Sequence, residues 1–281
     1  MRPDPYGPRL IPTRFPDRRP HLVNCPDLRS ILEFAVESAQ LAGAHTLGHF
    51  NARTPVEWKA DRSPVTAADR GAEERLRARI EKQFPAHGIL GEEFGEKPGS
   101  APGRWILDPI DGTFSFIHGV PLYSVLIGFE WQGEVVAGVI HMPALRETVY
   151  AARGLGCFWD GRRAHVSDVE TLSEATLLTG GGAMFDRSGR AAEFDRMRRA
   201  CRVHRSWCDG YAYALVATGR AEVVFDPVMA IWDAAAVLPV IQEAGGMVSD
   251  WRGGVTHTAN ELIATNGRLH AAALDVLAGG T

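Results

Sequence analysis

Residues 104–116 read RWILDPIDGTFSF, an apolar run that ends in two carboxylates three residues apart, Asp108 and Asp111. The run predicts a strand whose end carries a site. Pro109 fixes the backbone between the two carboxylates, and Gly112 permits a close turn or the approach of a ligand. An Asx turn that closes the strand would explain the same residues. Because neighbouring carboxylates repel each other unless a cation lies between them, the segment favours a hard-oxygen site for Mg²⁺ or Ca²⁺.

Two further segments carry acidic residues next to apolar runs. Residues 91–93 read GEE and contain Glu92 and Glu93, and residues 232–236 read WDAAA and contain Asp233. By itself, GEE is most often a solvated turn. WD is usually a helix start, with the aspartate near the positive end of the helix dipole. These segments therefore predict a site only in combination with the first one.

The chain divides into an arm and a folded part. Residues 1–27 hold seven of the 17 prolines and many arginines, a composition that predicts an extended arm or a disordered tail. Residues 28–170 predict an α+β half: two helices, short strands, and an antiparallel meander after Pro121. Residues 171–281 alternate strands with helices, which predicts an α/β half with helices layered on a sheet.

The composition excludes several classes of protein. The chain has 281 residues, of which 45% are hydrophobic and 23% charged, as in soluble proteins with a large core. Its formal net charge of −4 creates no field that would attract nucleic acid or an anionic membrane. No apolar run approaches the roughly 18 residues of a membrane span. The four scattered cysteines fit a reducing compartment. We therefore expect a cytoplasmic protein whose partner is a small molecule.

Four motifs, taken together, resemble those of the inositol monophosphatase superfamily of Mg²⁺-dependent phosphomonoesterases. They are DRSPVTAAD at 61–69, GEE, WILDPIDGT at 105–113 and WDAAAVLPVIQEAGG at 232–246, and they occur in the family's order. The resemblance covers residues 28–281 as one phosphatase domain. It implies a layered αβαβα sandwich of the α+β class, a homodimer, and two or three Mg²⁺ ions per site.

The resemblance also implies roles for individual residues. The implied metal ligands are Glu92, Asp108, the Ile110 carbonyl, Asp111 and Asp233, with Asp108 shared between two ions. The amides of Gly112 and Thr113 would donate to phosphate oxygens, and Glu93 would lie behind the ligands or reach them through water. The Thr113 hydroxyl would pair with an acidic residue to orient the attacking water. Asp61 is the acid that we assign to it, although a surface turn explains Asp61 equally well.

Ser63 and Thr66 have a structural interpretation instead. Either side chain suits the cap of a helix that starts near Thr66, with Asp69 in the first turn of that helix. We therefore do not expect these two residues to be catalytic.

Substrate specificity is expected in residues 208–233, CDGYAYALVATGRAEVVFDPVMAIWD, through Asp209 and Asp226. The resemblance implies that Asp226 contacts the alcohol part of the substrate and that Asp209 lies close by. Two added carboxylates favour a cationic substrate, and histidinol phosphate carries an ammonium and an imidazole. With Ser115 in DGTFSF, the chain is most similar to the histidinol-phosphate phosphatase branch. A helix cap and a strand-end turn would explain the two aspartates equally well.

Two alternatives remain open. An inositol monophosphatase, or a sugar or nucleotide 3′-phosphatase, would share the same metal ligands. A noncatalytic binding protein could keep the fold without turnover, but the intact acidic set argues against it because a decayed site would lose its ligands first.

Overall fold

The computed structural model describes residues 26–60 and 63–280. Its helices are α1 (Leu28–Leu47), α2 (Ala67–Gln83), α3 (Thr113–Ile117), α4 (Gly182–Arg187), α5 (Ala191–Ala200), α6 (Asp209–Ala217), α7 (Ile231–Glu243) and α8 (His270–Ala278). Its first strands are β1 (Val56–Trp58), β2 (Pro64–Thr66), β3 (Gly88–Gly91), β4 (Gly95–Lys97), β5 (Gly103–Asp111), β6 (Ser124–Trp131), β7 (Glu134–Met142) and β8 (Glu147–Ala152). The remaining strands are β9 (Gly156–Trp159), β10 (Arg162–Arg163), β11 (Thr176–Leu178), β12 (Val203–Arg205), β13 (Val223–Asp226), β14 (Met247–Ser249) and β15 (Leu262–Thr265).

The predicted arm falls almost entirely outside the described residues, since only Pro26 and Asp27 of residues 1–27 belong to them. Asp27 caps α1, because its carboxylate accepts hydrogen bonds from the backbone amides of Arg29 and Ser30. None of the helices in the described part of the chain has the length and apolar character needed to cross a membrane.

The larger sheet has eight strands in the order β10-β9-β8-β7-β6-β5-β3-β4. Strands β5 to β10 pair in antiparallel succession, which confirms the predicted meander, whereas β3 pairs with β5 in parallel. Side chains alternate between the two faces of this sheet. Ile127 packs in the core beneath α1 and α2, and its neighbour Leu126 packs on the opposite face against α6 and α7.

The smaller sheet has five strands in the order β12-β11-β13-β15-β14. Val224 faces the same core as α6 and α7, whereas Val223 faces a third core with Met197 of α5 and Leu277 of α8. The layers therefore run helix, sheet, helix, sheet, helix, which confirms the predicted layered α+β sandwich. The division of the chain at residue 170 stays a prediction.

Two glycines allow α7 to lie close against the larger sheet. A Cβ atom on Gly138 would come within 2.1 Å of the Ala236 carbonyl oxygen, and a Cβ on Gly128 within 2.7 Å of the Ala235 Cβ. Real side chains do not tolerate such distances, so only glycine fits at these positions. The close packing of α7 brings its first turn to the end of β5.

Candidate active site

Parallel pairing of β3 with β5 brings the first two carboxylates together. Gly91 is the register partner of Leu107, and the backbone amide of Glu92 donates to the Leu107 carbonyl at 3.1 Å. The next residues along the two strands, Glu92 and Asp108, therefore lie side by side. Adjacent parallel strands end at one edge of a sheet, which is why these distant segments meet there.

A bulge in β5 explains how Asp108 and Asp111 contribute to one site. Asp108 pairs with Leu126 of β6 and Asp111 with Ser124, so three steps along β5 match two steps along β6. In a regular strand, the side chains of residues three apart point to opposite faces of the sheet. The additional residue of the bulge lies between Asp108 and Asp111, so both side chains can point to the same face. Pro109 suits the bulge because it has no N–H to contribute to the ladder.

Helix ends from the second half of the chain complete the cluster. Asp233, in the first turn of α7, accepts a hydrogen bond from the Ala230 amide at 2.8 Å. Asp111 accepts from the Ser124 hydroxyl at 2.6 Å and from the Gly210 amide, at the start of α6, at 2.5 Å. Each carboxylate is thereby held in a defined orientation by one oxygen.

The cluster is electrostatically costly without a cation. Carboxylate oxygens of Asp108, Asp111 and Asp233 lie within 4.8 Å of one another. Burial, followed by the charges of Glu92 and Asp111, raises the pKa of Asp108 well above its ordinary value. Burial and neighbouring carboxylates likewise raise the pKa of Asp233 to about 7. A divalent cation relieves both costs, and a set of carboxylate oxygens with a nearby carbonyl suits Mg²⁺.

Lys59 supplies positive charge beside the cluster. Its ammonium donates to Glu92 at 2.8 Å and to Glu93 at 2.6 Å. Burial alone would lower the pKa of Lys59, but these hydrogen bonds and charges raise it well above its ordinary value. The buried carboxylate of Glu73, on α2, accepts hydrogen bonds from the backbone amides of Glu93 and Phe94 and so fixes the turn after β3. Neither Lys59 nor Glu73 is expected at a site from the sequence, since both lie in segments without a site signal of their own.

Thr113 lies next to an acid other than the predicted one. Its hydroxyl lies 3.0 Å from the Ile110 carbonyl oxygen and 3.5 Å from Oδ1 of Asp69. Asp61, the acid assigned to Thr113 from the sequence, lies outside the described residues. Asp69 also accepts from the Thr66 amide and hydroxyl, which confirms the cap at Thr66. Burial raises the pKa of Asp69, so its carboxylate is a stronger base than an exposed one.

Asp69 could have been found from the sequence. It ends the DRSPVTAAD motif, and a carboxylate in the first turn of a helix has one oxygen engaged by the cap while the other stays available. The capping interpretation was correct, but it obscured the second oxygen.

The two predicted specificity residues lie in a smaller pocket next to the cluster. A cleft of about 350 Å³ contains Glu92, Asp108, Thr113 and Asp233, and an adjoining pocket of about 120 Å³ contains Asp226. Asp111, Asp209 and Asp233 line both spaces.

Asp226 is buried at the end of β13. It accepts from the Tyr213 hydroxyl at 2.9 Å and from the Gly180 amide at 3.3 Å, and burial raises its pKa to about 6. Asp209 is the first residue of α6 and has a φ of 59°, an uncommon conformation that aspartate tolerates better than most residues. The conformation places its carboxylate against Gly112, where an added Cβ would lie 2.6 Å from Oδ2 of Asp209.

Comparisons with known proteins agree with this architecture. The profile of the inositol monophosphatase family matches residues 27–278. A histidinol-phosphatase of Chlorobaculum parvum is 46% identical over 224 residues, which are 79% of this chain and 86% of that protein. An inositol-1-monophosphatase of Mesorhizobium japonicum is 36% identical over 80% of this chain and 87% of its own length. The crystal structure of the extragenic suppressor protein SuhB from Bartonella henselae has a TM-score of 0.84 at 31% identity, and the match covers 90% of this chain and all of that one.

The layered fold and the carboxylate-lined cleft, together with these relatives, define an enzyme of the phosphoric monoester hydrolase class. Within that class, the chain belongs to the inositol monophosphatase family. The resemblance found in the four sequence motifs is thereby confirmed.

The raised pKa values predict how stability depends on pH when divalent ions are removed. A carboxylate whose pKa is higher in the folded state favours folding at low pH, and this contribution is lost as the pH rises through the folded-state value. For Asp233 that loss begins above its ordinary pKa of 3.8 and is complete at about pH 7. In EDTA, Asp233→Asn should therefore gain roughly 1–3 kcal/mol relative to the unmodified protein between pH 5 and pH 8, measured by urea unfolding.

The comparison with the unmodified protein cancels contributions from buried histidines, which both proteins share. Asp195→Asn, at a half-exposed carboxylate on α5, is the matched control and should show no such trend. A constant difference between Asp233→Asn and the unmodified protein across this pH range would contradict the prediction.

Proposed function

We propose that the chain is a Mg²⁺-dependent phosphomonoesterase that hydrolyses histidinol phosphate to histidinol and inorganic phosphate. The observation that carries the proposal is the meeting of Asp108, Asp111 and Asp233 within 4.8 Å, beside a pocket with two more carboxylates. The first three account for a metal-assisted reaction on phosphate. Asp209 and Asp226 account for a cationic alcohol.

The residues proposed to hold Mg²⁺ are those of the predicted set: Glu92, Asp108, the Ile110 carbonyl, Asp111 and Asp233. Asp108 is central, since it lies beside Glu92 on one side and near Asp111 and Asp233 on the other. When bound, two or three Mg²⁺ ions would neutralise phosphoryl oxygens, lower the pKa of a water molecule and stabilise the leaving alkoxide. Glu93 lies farther back, paired with Lys59.

Thr113 and Asp69 are proposed to orient the attacking water. The Thr113 hydroxyl donates its proton towards the Ile110 carbonyl or Asp69 and keeps a lone pair that can accept from the water. Asp69 has one oxygen fixed by Thr66, so the other stays directed at Thr113. As the water oxygen bonds to phosphorus, a proton of the water passes through the Thr113 hydroxyl to Asp69, which acts as the base; the ester P–O bond breaks, and the leaving alkoxide takes up a proton from solvent.

Phosphate binding is proposed at the turn after β5. The amides of Gly112 and Thr113 begin α3, and Gly112 has a φ of 81° that other residues adopt with difficulty. Backbone donors at such a turn bind phosphate oxygens without a charged side chain. They would thus hold the phosphoryl group beside the carboxylate cluster.

Charge matching supports histidinol phosphate as the substrate. With Mg²⁺ on the cluster, Asp209 and Asp226 remain as two carboxylates in the adjoining pocket. The ammonium and imidazole of histidinol can pair with them, whereas a neutral polyol offers hydrogen bonds but no compensating charge. The name of the Chlorobaculum parvum relative agrees with this choice, and that of the Mesorhizobium japonicum relative points to the alternative, inositol phosphate.

We further propose a cytoplasmic homodimer. The basis for the dimer is the family resemblance. The basis for the compartment is the state of Cys157, Cys201 and Cys208, which are free thiols in the described part of the chain.

A panel of phosphate esters assayed with and without Mg²⁺ tests the reaction and the substrate together. We expect phosphate release to fall at least 10³-fold in EDTA, because charge neutralisation by the ions supplies several kcal/mol. Asp108→Asn should lose a similar factor while its circular dichroism spectrum stays unchanged. Undiminished turnover by Asp108→Asn would refute the metal role, and a preference for inositol phosphate over histidinol phosphate would refute the substrate.

Asp69→Asn tests the proposed base. We expect kcat to fall roughly 10²- to 10⁴-fold with little change in KM, because Asp69 acts on the water and does not touch the alcohol. The variant should also lose about 1 kcal/mol of unfolding free energy, because the cap of α2 would be weaker. Thr66→Ser is the matched control, since it keeps the capping hydroxyl and should keep kcat. If Asp69→Asn retained full kcat, the acid beside Thr113 would have no part in the reaction.

Asp209→Asn tests the origin of specificity. A hydrogen bond to a charged partner contributes more than one to a neutral partner, so kcat/KM for histidinol phosphate should fall roughly 10- to 100-fold. The value for inositol 1-phosphate should stay the same or rise. Asp186→Asn, on α4 outside both spaces, is the control. Equal losses on the two esters would mean that Asp209 supports the site and does not select the substrate.

A further inference from the structure

Two exposed aromatic rings lie together beside the candidate active site. Trp58 of β1 is 60% exposed and Phe114 of α3 is 55% exposed, and their ring centroids are 6.2 Å apart. Burial of exposed apolar surface is favourable, so two adjacent exposed rings offer a surface on which a ligand can pack. We call Trp58 and Phe114 the aromatic lip.

The aromatic lip is attached to the acidic cluster on both sides. Trp58 pairs with Pro64 in a two-stranded ribbon outside the larger sheet, and the next residue, Lys59, holds the ribbon to Glu92. Phe114 follows Thr113 directly, at the end of the strand that carries the cluster. Each ring is therefore next in sequence to a residue that contacts the site: Trp58 to Lys59, which pairs with Glu92, and Phe114 to Thr113.

One ring of the lip, Phe114, and one specificity carboxylate, Asp209, share one space. Phe114 and Asp209 both line the larger cleft, and Asp209 approaches the Gly112 backbone, two residues before Phe114. An alcohol group leaving the phosphate site thus meets acidic oxygens and an aromatic surface in the same cleft. This combination recognises a flat cation, which stacks on rings and pairs with carboxylates. A polyol can pack its C–H groups on the rings but has no charge to interact with them or with the carboxylates.

We infer that the aromatic lip is a specificity element: it stacks on a flat, cationic ring carried by the alcohol part of the substrate, such as the protonated imidazole of histidinol. The inference rests on the proposed function. It adds that the alcohol part of the substrate must be flat as well as positively charged. Because the phosphoryl group is proposed to bind at the backbone amides of Gly112 and Thr113, the lip would act on substrate selection and leave the hydrolytic step unchanged.

The test compares Trp58→Ala and Phe114→Ala with Mg²⁺-loaded unmodified protein. We expect the ratio of kcat/KM for histidinol phosphate to kcat/KM for inositol 1-phosphate to fall about five- to twentyfold in each variant, mainly through KM. Trp58→Phe and Phe114→Tyr keep an aromatic face and should restore most of the ratio. Val255→Ala removes an equally exposed apolar side chain outside the cleft and should leave the ratio unchanged.

The ratio in the unmodified protein tests the proposed substrate, and the change of that ratio in the variants tests the lip. The two proposals can therefore fail independently. If the ratio stayed constant, or both esters lost activity equally, the lip would not select the alcohol. Calorimetric titration with histidinol gives a second measurement that needs no turnover. Weaker binding by Phe114→Ala supports the lip, and equal binding overturns it. If the alanine variants changed their sedimentation coefficient while the ratio of the two kcat/KM values stayed the same, the rings would belong to a subunit interface and the inference would be overturned.

Discussion

Mutual repulsion among buried carboxylates is the constraint on which the rest of this structure depends. Asp108, Asp111 and Asp233 lie within 4.8 Å of one another, and burial strengthens each interaction. Such an arrangement persists only if packing elsewhere in the molecule outweighs the repulsion. The three hydrophobic cores between the layers provide that packing, and the site consequently holds acidic oxygens ready for a cation.

The fold meets this constraint with a few local irregularities. The bulge at Pro109 turns two aspartates to the same side of β5, and glycines in β6 and β7 let α7 approach closely enough to bring Asp233 to them. Asp209 adopts a positive φ at the start of α6. Each irregularity costs conformational free energy, and each orients a side chain at the cleft.

In the proposed function, recognition of phosphate and recognition of the alcohol are carried by separate parts of the cleft. The end of β5 provides carboxylates and backbone amides, whereas α6 and β13 provide Asp209 and Asp226. The aromatic lip adds an apolar surface to the second task. This separation explains how relatives with one fold carry names that refer to different phosphate esters: the alcohol pocket can change while the metal ligands stay.

The sequence by itself determined the meander and the acidic segments, because strand alternation, helical spacing and short motifs are local properties of the chain. The layered fold followed from the resemblance of the four motifs to a known family. It also identified the cap at Thr66. Only the tertiary structure brought Asp69 to Thr113, since the two residues are 44 positions apart and meet through the packing of α2; Asp61 stays a prediction. The same holds for Lys59 and for the pairing of Trp58 with Phe114. Contacts between segments distant in sequence depend on strand register and helix packing, which local patterns do not encode.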